Sequence, residues 1–328
     1  MAVETYSDLD SLPETVASFL SAAGGSSFFA SPAWYRIVLK TAGLPGDEPR
    51  LWVARQDGRA VAALFARERH DAGPIKTHVV TSPSRALDAF FYGPILDAEQ
   101  GEDGLRAIIG AMLRGRPPVH VLRFEALDPH GREGKALLAA LGGNGLLLQR
   151  FGDPFVFYRE DVEGCTVEQY LKRRDPSMQA FLARQLAASQ GKTRLEVVTG
   201  GNDFRWAVID YALVDLQSWK PQEAHPDCLH ALLEAASRAG ILRLTLLYLD
   251  DVPAAAQIWI VSQGRATMWR SRFARKFALQ SVGAIITLET IRHLLTTDRP
   301  RTVEFGPGDD AGRSQWLSGI HERLGITA

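Results

Sequence analysis

The stretch ILRLTLLYLDDVPAAAQIWIVSQGRATMWRSRF, residues 241–273, decides the fold of this chain. It contains three apolar runs of strand length, separated by short polar pairs. The pairs Asp250-Asp251 and Gln263-Gly264 favour the tight turns that join antiparallel strands. The three predicted strands are Ile241–Leu249, Ala254–Val261 and Ala266–Phe273. The stretch therefore predicts an antiparallel meander.

The sequence on either side extends this meander into a mixed sheet. A helix over Gly283–Leu295 followed by a strand over Thr302–Phe305 forms a crossover, so that strand should lie parallel to Ala266–Phe273. A strand and two helices precede the meander, and a helix is predicted to end the chain. These elements are Leu195–Val198, Asp203–Trp219, Pro226–Ala239 and Arg313–Leu324. The predicted order of the second half is β-α-α-β-β-β-α-β-α.

The first half repeats part of this pattern. LWVARQDGRAVAAL, Leu51–Leu64, has the same strand-turn-strand form as LLYLDDVPAAAQI, Leu246–Ile258, at an offset of 193 residues. This similarity suggests two related halves, and 328 residues correspond to about two domains. We predict an α+β (mixed α/β) chain with domains at 1–155 and 156–328, each built on a mostly antiparallel mixed sheet flanked by helices.

Composition excludes several classes of protein. Apolar residues make up 46% of the chain and charged residues 23%, with a formal net charge of −1, which argues against a disordered tail or a basic nucleic-acid coat. Cys165 and Cys228 are too few for a disulfide scaffold. His225 and His230 beside Cys228 match no metal-ligand spacing, so no metal is predicted. Without a long apolar run or a signal sequence, we expect a cytoplasmic protein.

One segment is strongly basic. Residues 265–283, RATMWRSRFARKFALQSVG, contain five cationic side chains and no acid, and they lead into a helix whose first turn holds Ser281, Val282, Gly283 and Ala284. Because a helix N-terminus offers free N–H groups and partial positive charge, this arrangement can cradle a pyrophosphate. The alternative is a solvated basic strand followed by an ordinary helix cap.

A second candidate lies at the end of the predicted strand Thr302–Phe305. The sequence continues Gly306-Pro307-Gly308-Asp309-Asp310, which places two carboxylates after a turn. Asp309 either caps the next helix or holds and deprotonates a substrate amine, whereas Asp310 suits a cap. Trp219, Trp269 and Trp316 lie near these elements and are either core residues or walls of a substrate pocket.

The second half resembles the GCN5-related N-acetyltransferase (GNAT) superfamily. More narrowly, it looks like the FemAB-like, CelD-type branch with two GNAT domains. The resemblance is carried by Pro253-Ala254-Ala255-Ala256-Gln257, Ser281-Val282-Gly283 and Glu304–Asp309, together with Arg313 and Trp316. It covers roughly residues 160–320, and the first half matches only in outline. Val282 departs from the proline usual in that branch, and Phe273-Ala274-Arg275 departs from its usual aromatic-acid pair.

The resemblance implies transfer of an acyl group, most simply acetyl, from acyl-CoA to an amine of a small molecule or glycan precursor. It implies that backbone N–H groups near Trp269–Ser271 polarise the thioester carbonyl and that Asp309 is the catalytic base. The implied acyl-CoA-binding residues are Trp269, Arg270, Ser271, Arg272, Arg275, Lys276, Ser281, Val282, Gly283 and Ala284. The implied acceptor-binding residues are Trp219, Lys220, Arg313 and Trp316.

Three hypotheses remain open at the level of sequence. The first is this acyl-CoA-dependent N-acyltransferase, which could act as a homodimer. The second is an aminoacyl-tRNA-dependent transferase of the FemAB kind, against which the net charge of −1 argues. The third is a non-catalytic binding protein with two GNAT-like domains.

Overall fold

A computed structural model describes residues 1–22, 27–43, 45–71, 77–83, 91–223, 225–306 and 311–328. The chain forms two compact units, which are considered separately. Unit 1 comprises Met1–Val156 together with Glu322–Ala328, and unit 2 comprises Phe157–His321. The identity of the first half as a degenerate GNAT-like domain stays a prediction.

Unit 1 alternates helices with strands. Its strands are β1 (Ala2–Tyr6), β2 (Glu48–Gln56), β3 (Arg59–Asp71), β4 (Thr77–Thr81), β5 (Ile95–Leu96) and β6 (Val121–Leu127), and β7 (Gln149–Asp161) leads out of it. Its helices are α1 (Glu14–Ala22), α2 (Pro32–Thr41), α3 (Gly101–Arg114) and α4 (Arg132–Gly143).

Unit 2 follows the same alternation. Its helices are α5 (Val167–Lys172), α6 (Pro176–Ser189), α7 (Phe204–Leu216), α8 (Pro226–Arg238), α9 (Val282–His293) and α10 (Ala311–Ser314). Its strands are β8 (Thr193–Val198), β9 (Leu242–Leu249), β10 (Val252–Ser262), β11 (Arg265–Phe273) and β12 (Thr302–Phe305), and β13 (Gly319–Thr327) ends the chain's regular structure.

Both units contain a mixed sheet with one parallel pair. In unit 1 the strand order is β1-β2-β3-β4-β6-β13, with β4 parallel to β6 and β5 paired on β3. In unit 2 the order is β7-β12-β11-β10-β9-β8, with β11 parallel to β12. The predicted α+β class, the meander and its parallel crossover strand are therefore confirmed.

The predicted hairpin turns are confirmed by their backbone. Asp250 and Asp251 both have positive φ, 48° and 59°, and so do Gln263 and Gly264, 53° and 74°. Two consecutive positive φ values match the twist of the flanking strands in two-residue hairpins. The pair Asp57-Gly58 between β2 and β3 has the same geometry.

The predicted terminal helix over Arg313–Leu324 is wrong. The structure has only the four-residue α10 there, followed by β13. Leu324 and Ile326 of β13 pair antiparallel with Leu127 and Phe124 of β6. The ladder to a strand nearly 200 residues earlier in the chain overrides the local apolar pattern. Gly319, in the middle of the predicted helix, also weakens it.

Helix α9 is fixed on the sheet of unit 2 by an apolar cluster. Val282, Ile285 and Ile286 of α9 are buried there, and Phe273 and Phe277 pack against the cluster. The strands contribute Leu247, Leu249, Ala254 and Ala255. Burying a side chain such as Ile or Val stabilises the fold by about 1.5–3 kcal/mol each, so the start of α9 is held firmly beside the end of β11.

Candidate functional site

The candidate site lies where β11 leaves its parallel neighbour. Met268 is the last residue of β11 that pairs with β12, opposite Phe305, and its carbonyl also accepts a hydrogen bond from the N–H of Gly306. Strand β11 continues to Phe273, but no pairing with β12 follows within residues 225–306 and 311–328. In the last part of β11, the backbone groups on the β12 side form no hydrogen bond with β12 within those ranges.

A bulge in β11 stands at the same place. Trp259 of β10 lies opposite Met268, whereas the preceding Ile258 lies opposite Arg270, so Trp269 is an extra residue. Such a bulge bends a strand and redirects its backbone groups. It separates the half of β11 that pairs on both sides from the half that pairs only with β10.

We term Arg270–Phe273, which pair with β10 but with no described residue of β12, the free half of β11. The direction of its backbone groups follows from the pairing with β10. Ala274 donates its N–H to the carbonyl of Ala254 at 2.9 Å, so Arg272 also directs its backbone groups toward β10. By alternation, Ser271 directs its backbone groups to the opposite side. The carbonyl of Ser271 indeed accepts a hydrogen bond from Lys220 Nζ at 3.1 Å, which lies off the sheet.

The two arginines of this half are ion-paired toward the connection between α7 and α8. Arg270 Nε lies 2.8 Å from Glu223 Oε2, and Arg272 pairs with Asp215 of α7. Both arginines are buried. Their charges are therefore largely balanced within the protein, and the phosphate-binding role predicted for Arg272 stays a prediction.

Sequence reasoning did not identify the acidic partners of these arginines. Glu223 carries no local signal, while Asp215 stands out only as an acid within the apolar stripe of α7. Tyr211, one turn before Asp215, is buried with a hydroxyl that has no hydrogen-bond partner among the described residues. Burial raises the pKa of that Tyr211 hydroxyl above its ordinary value. These side chains form a polar layer between α7 and β11.

A buried glutamine connects the free half of β11 to α9. The Gln257 side chain donates to Thr287 Oγ1 at 2.8 Å and to Ser271 Oγ at 3.3 Å, and it accepts from Trp259 Nε1 at 2.9 Å. Thr287 in turn donates to the carbonyl of Gly283 in the first turn of α9. Because every polar atom of this amide is engaged, it fixes the start of α9 relative to Ser271.

The first turn of α9 is suited to an anion. Ser281 precedes the helix with φ of 53° and makes no side-chain cap, and no acidic residue stands in the first turn. The N–H groups of Val282 and Gly283 have no hydrogen-bond partner among the described residues, as is usual at a helix start. Arg275 and Lys276, in the 3-10 helix just before, are exposed.

The remaining predicted site residues are distributed around this region. Trp219 is exposed and makes an edge contact with Phe273, with ring centroids 6.4 Å apart. Arg313 donates to the carbonyl of Gly306 at 2.5 Å, which places it at the end of β12. Trp316 is buried, and its carbonyl accepts from the Tyr170 hydroxyl at 2.7 Å.

The structure thus brings most predicted residues to one end of β11. The free half of β11, the segment Arg275–Ala284, and Trp219 with Lys220 are contiguous through the contacts above. Asp309, the predicted base, and Asp310 lie outside the described residues. The part of the chain that is described holds no group of three or more metal-ligating side chains. Nor does it contain a helix long and apolar enough to span a membrane.

The residues present fit an acyl-CoA on grounds of their own chemistry. A diphosphate needs hydrogen-bond donors and positive charge without nearby carboxylates, and the start of α9 with Arg275 and Lys276 provides both. A pantetheine chain carries amides that pair with an open strand edge. Strand β11 provides a short one between Met268, where its pairing with β12 ends, and Ala274, which bridges to Ser218.

Comparison with known proteins agrees with this geometry. Residues 182–313 match the family model described as an acetyltransferase (GNAT) domain. No curated protein matches the chain. The match supports the GNAT superfamily and an acyltransferase activity for this part of the chain, and it includes α7, the meander, α9 and β12.

Solved structures of similar fold extend over nearly the whole chain. A crystal structure of FemX has a TM-score of 0.66 at 9% identity and covers 99% of this chain and 96% of that one. A tandem GNAT protein from the clavulanic acid biosynthesis pathway has a TM-score of 0.51 at 18% identity, covering 100% and 98%. The C-terminal domain of a putative lysylphosphatidylglycerol synthetase from Agrobacterium fabrum has 0.56 at 13%, covering 96% and 90%. Residues 182–313 thus match a GNAT domain, and the chain as a whole shares its fold with these three structures.

Proposed function

We propose that this chain is an acyl-CoA-dependent N-acyltransferase that transfers an acyl group, most simply acetyl, to an amine of a small molecule or glycan precursor. The observation that carries the proposal is the acid-free first turn of α9, with Arg275 and Lys276 exposed before it, next to the half of β11 that pairs with β10 but with no described residue of β12. We also propose that the chain belongs to the FemAB-like, CelD-type branch, whose motifs it resembles.

In this proposal the start of α9 binds the diphosphate of the cosubstrate. The N–H groups of Val282 and Gly283 donate to phosphate oxygens, and the exposed Arg275 and Lys276 supply positive charge. Gln257 keeps this turn in register with β11, because its amide bonds Thr287 on one side and Ser271 on the other. The phosphates and the thioester would therefore be positioned by one buried network.

The free half of β11 would orient the thioester. The N–H of Ser271 faces away from β10 and is placed to donate to the carbonyl oxygen as negative charge develops there. The neutral amine nitrogen bonds to the carbonyl carbon, the carbon–sulfur bond breaks, and the thiolate takes up the proton that the nitrogen loses after attack. The proton removed earlier from the ammonium form passes through the base to solvent. No covalent enzyme intermediate is required.

A base must first remove a proton from the amine, because an alkylamine is mostly protonated near neutral pH. We assign this role to Asp309, which follows β12 in the sequence. Trp219, Lys220 and Arg313 would line the acceptor side, with Trp316 behind them. Lys220 already donates to the carbonyl of Ser271, which links the acceptor side to the thioester side.

A turnover assay with matched variants tests the proposal. The purified chain is given acetyl-CoA with a panel of amino sugars, amino acids and polyamines, and both free CoA thiol and acetylated product are measured. We expect turnover with at least one amine. Asp309→Asn should lower kcat about 100- to 1,000-fold, in the range of a lost general base, with the affinity for acetyl-CoA unchanged. The neighbouring Asp310→Asn should retain the wild-type rate.

The other two hypotheses predict different results when the assay is also run with aminoacyl-tRNA as the donor. Transfer from aminoacyl-tRNA, without transfer from acetyl-CoA, would favour the FemAB-like reaction and contradict the proposal. Binding of acetyl-CoA with no turnover on any amine would favour a binding protein. Equal loss of activity in Asp309→Asn and Asp310→Asn would remove Asp309 as the base while leaving the acyltransferase proposal standing.

A further inference from the structure

The outward side of α7 is apolar and open to solvent. Trp206 is 68% exposed, Ile209 40%, Leu213 44% and Leu216 67%. Their spacing of three, four and three residues places them on one stripe of the helix, which we term the outer face of α7. Side chains of this size exposed together on one helix differ from scattered surface residues, and they indicate a contact with another molecule.

The inner side of the same helix is also apolar. Ala207, Tyr211 and Val214 are buried against the sheet of unit 2. The two acids of the helix lie beside the outer face and not on it, since Asp210 accepts from the Tyr248 hydroxyl at 2.6 Å and Asp215 pairs with Arg272. Between Trp206 and Leu216 the outer face thus carries no charge. The rest of the described chain leaves this apolar stripe open, which marks it as a contact surface for another molecule.

The size of the outer face suits a modest protein interface. Trp206 alone exposes roughly 100–170 Å², given that a whole aromatic side chain presents about 150–250 Å². With its three aliphatic neighbours the face reaches the several hundred Å² of the largest patches that monomers leave open. A partner contributes about 800 Å² to a standard interface, so this face and its polar rim are of the right order.

We propose that the outer face of α7 is the contact between two copies of this chain, with the two α7 helices antiparallel about a twofold axis near Ala212 and Leu213. A twofold contact requires one surface to be complementary to itself, and an uncharged apolar stripe meets that requirement. Ala212 is exposed at the middle of the stripe and is small enough to let the helices approach closely.

The charges at the two ends of the outer face also favour a second copy of this chain as the molecule bound there. A groove of about 400 Å³ at the N-terminal end is lined by Trp206, Tyr248 and three carboxylates. The carboxylates are Glu196, Asp203 and Asp210, and the Arg194 guanidinium lies at the same end, over the Tyr248 ring and paired with Glu196. At the C-terminal end, the N–H of the exposed Arg275 donates to the carbonyl of Gln217 at 2.9 Å.

In an antiparallel pair, each acidic end meets the Arg275 end of the other copy. The groove combines carboxylates with an exposed tryptophan, which is a suitable environment for a guanidinium group. The same carboxylates would be repelled by an anionic membrane surface, so a second copy is favoured over a lipid surface. The contact does not depend on the proposed activity, although Arg275 is used in both proposals.

Sedimentation velocity on the full chain without cosubstrate tests the contact. We expect a dimer at about 50 µM protein that dissociates on dilution, and Leu213→Glu should weaken association at least about 100-fold, because two carboxylates then meet at the axis. Leu147→Glu is the control, since Leu147 is also an exposed leucine, at 93% against 44% for Leu213, but lies in unit 1. It should associate like the wild type.

A cross-linking variant tests the proposed antiparallel arrangement of the two α7 helices. Ala212→Cys should form a disulfide-linked dimer on mild oxidation, whereas Leu147→Cys should not, and the two native cysteines are buried. A wild-type chain that stays monomeric at 50 µM would overturn the proposal, as would a Leu213→Glu chain that remains dimeric. Monomers that bind phosphatidylcholine vesicles through this face would identify a lipid surface instead. Acetyl-CoA turnover by a wild-type monomer would leave the proposed function intact while excluding the dimer.

Discussion

Helices α3 and α9 occupy equivalent places in the two units, yet their N-termini differ in charge. Each helix belongs to the connection, along the chain, between two parallel neighbouring strands. These strands are β4 and β6 in unit 1 and β11 and β12 in unit 2. The first turn of α3 carries Glu102 and Asp103, whereas the first turn of α9 carries no acid. In unit 1 the protein itself supplies the negative charge that a helix start favours, and in unit 2 the first turn supplies none.

The space beside the parallel strands also differs. In unit 1 Tyr92 continues the pairing of β6, with its N–H on the carbonyl of Ala126, and its buried ring stacks on Phe124. In unit 2 the described pairing of β12 with β11 ends at Phe305. A shared strand order is therefore compatible with one candidate site rather than two, because charge and side-chain volume differ at the equivalent positions.

The largest expected effect comes from giving α9 the charge of α3. Ala284→Glu places a carboxylate in the first turn of α9, where it should repel a diphosphate and weaken acetyl-CoA binding about 100-fold. The same carboxylate favours the helix dipole, so thermal stability should stay equal or rise slightly. Calorimetric titration and a melting curve measure the two effects separately.

Ala284→Gln is the control for side-chain size in this comparison. The neutral amide should leave acetyl-CoA affinity within a fewfold of the wild type. If Gln weakened binding as much as Glu did, the loss would be steric, and the electrostatic contrast between α3 and α9 would lose its support.

A smaller effect, on stability alone, is expected from a substitution at Tyr92, whose ring fills the space beside β6 in unit 1. The Tyr92 hydroxyl is buried and donates to the carbonyl of Phe65 at 2.7 Å. Tyr92→Phe leaves that carbonyl without its partner and should cost about 1–2 kcal/mol of unfolding free energy, measured by urea denaturation. The affinity for acetyl-CoA should not change, because this position belongs to unit 1.

Tyr170→Phe is the matched variant in unit 2. Its hydroxyl is similarly buried and donates to the carbonyl of Trp316 at 2.7 Å, but Arg174 donates to the same carbonyl, so the loss of stability should be smaller. A fall in acetyl-CoA affinity in Tyr92→Phe alone would place the binding site in unit 1 and contradict the comparison.

The sequence was most informative where local signals agreed. The meander and β12 were predictable because apolar strands alternate with two-residue turns at Asp250-Asp251 and Gln263-Gly264. The start of α9 was predictable because a basic, acid-free segment precedes small residues. By contrast, the local sequence pattern does not predict β1, β4 and β7, and it predicts a helix in place of β13. Each of these strands depends on pairing with residues far away in the chain.

The polar layer of the site shows the same limit. Arg270 meets Glu223 and Arg272 meets Asp215 across separations of 47 and 57 residues. Nothing in the local pattern of either acid indicates its partner. Gln257 was visible as part of a motif, but its contacts with Ser271 and Thr287 exist only once strand and helix are packed together.

The stoichiometry of acetyl-CoA binding tests the central claim most directly. Isothermal titration calorimetry on the full chain should show saturable binding with one equivalent per chain, since α9 but not α3 has an N-terminus free of carboxylates. Two equivalents per chain would show that unit 1 also binds the cosubstrate, and the absence of any heat or shift in melting temperature would contradict the acyl-CoA site altogether.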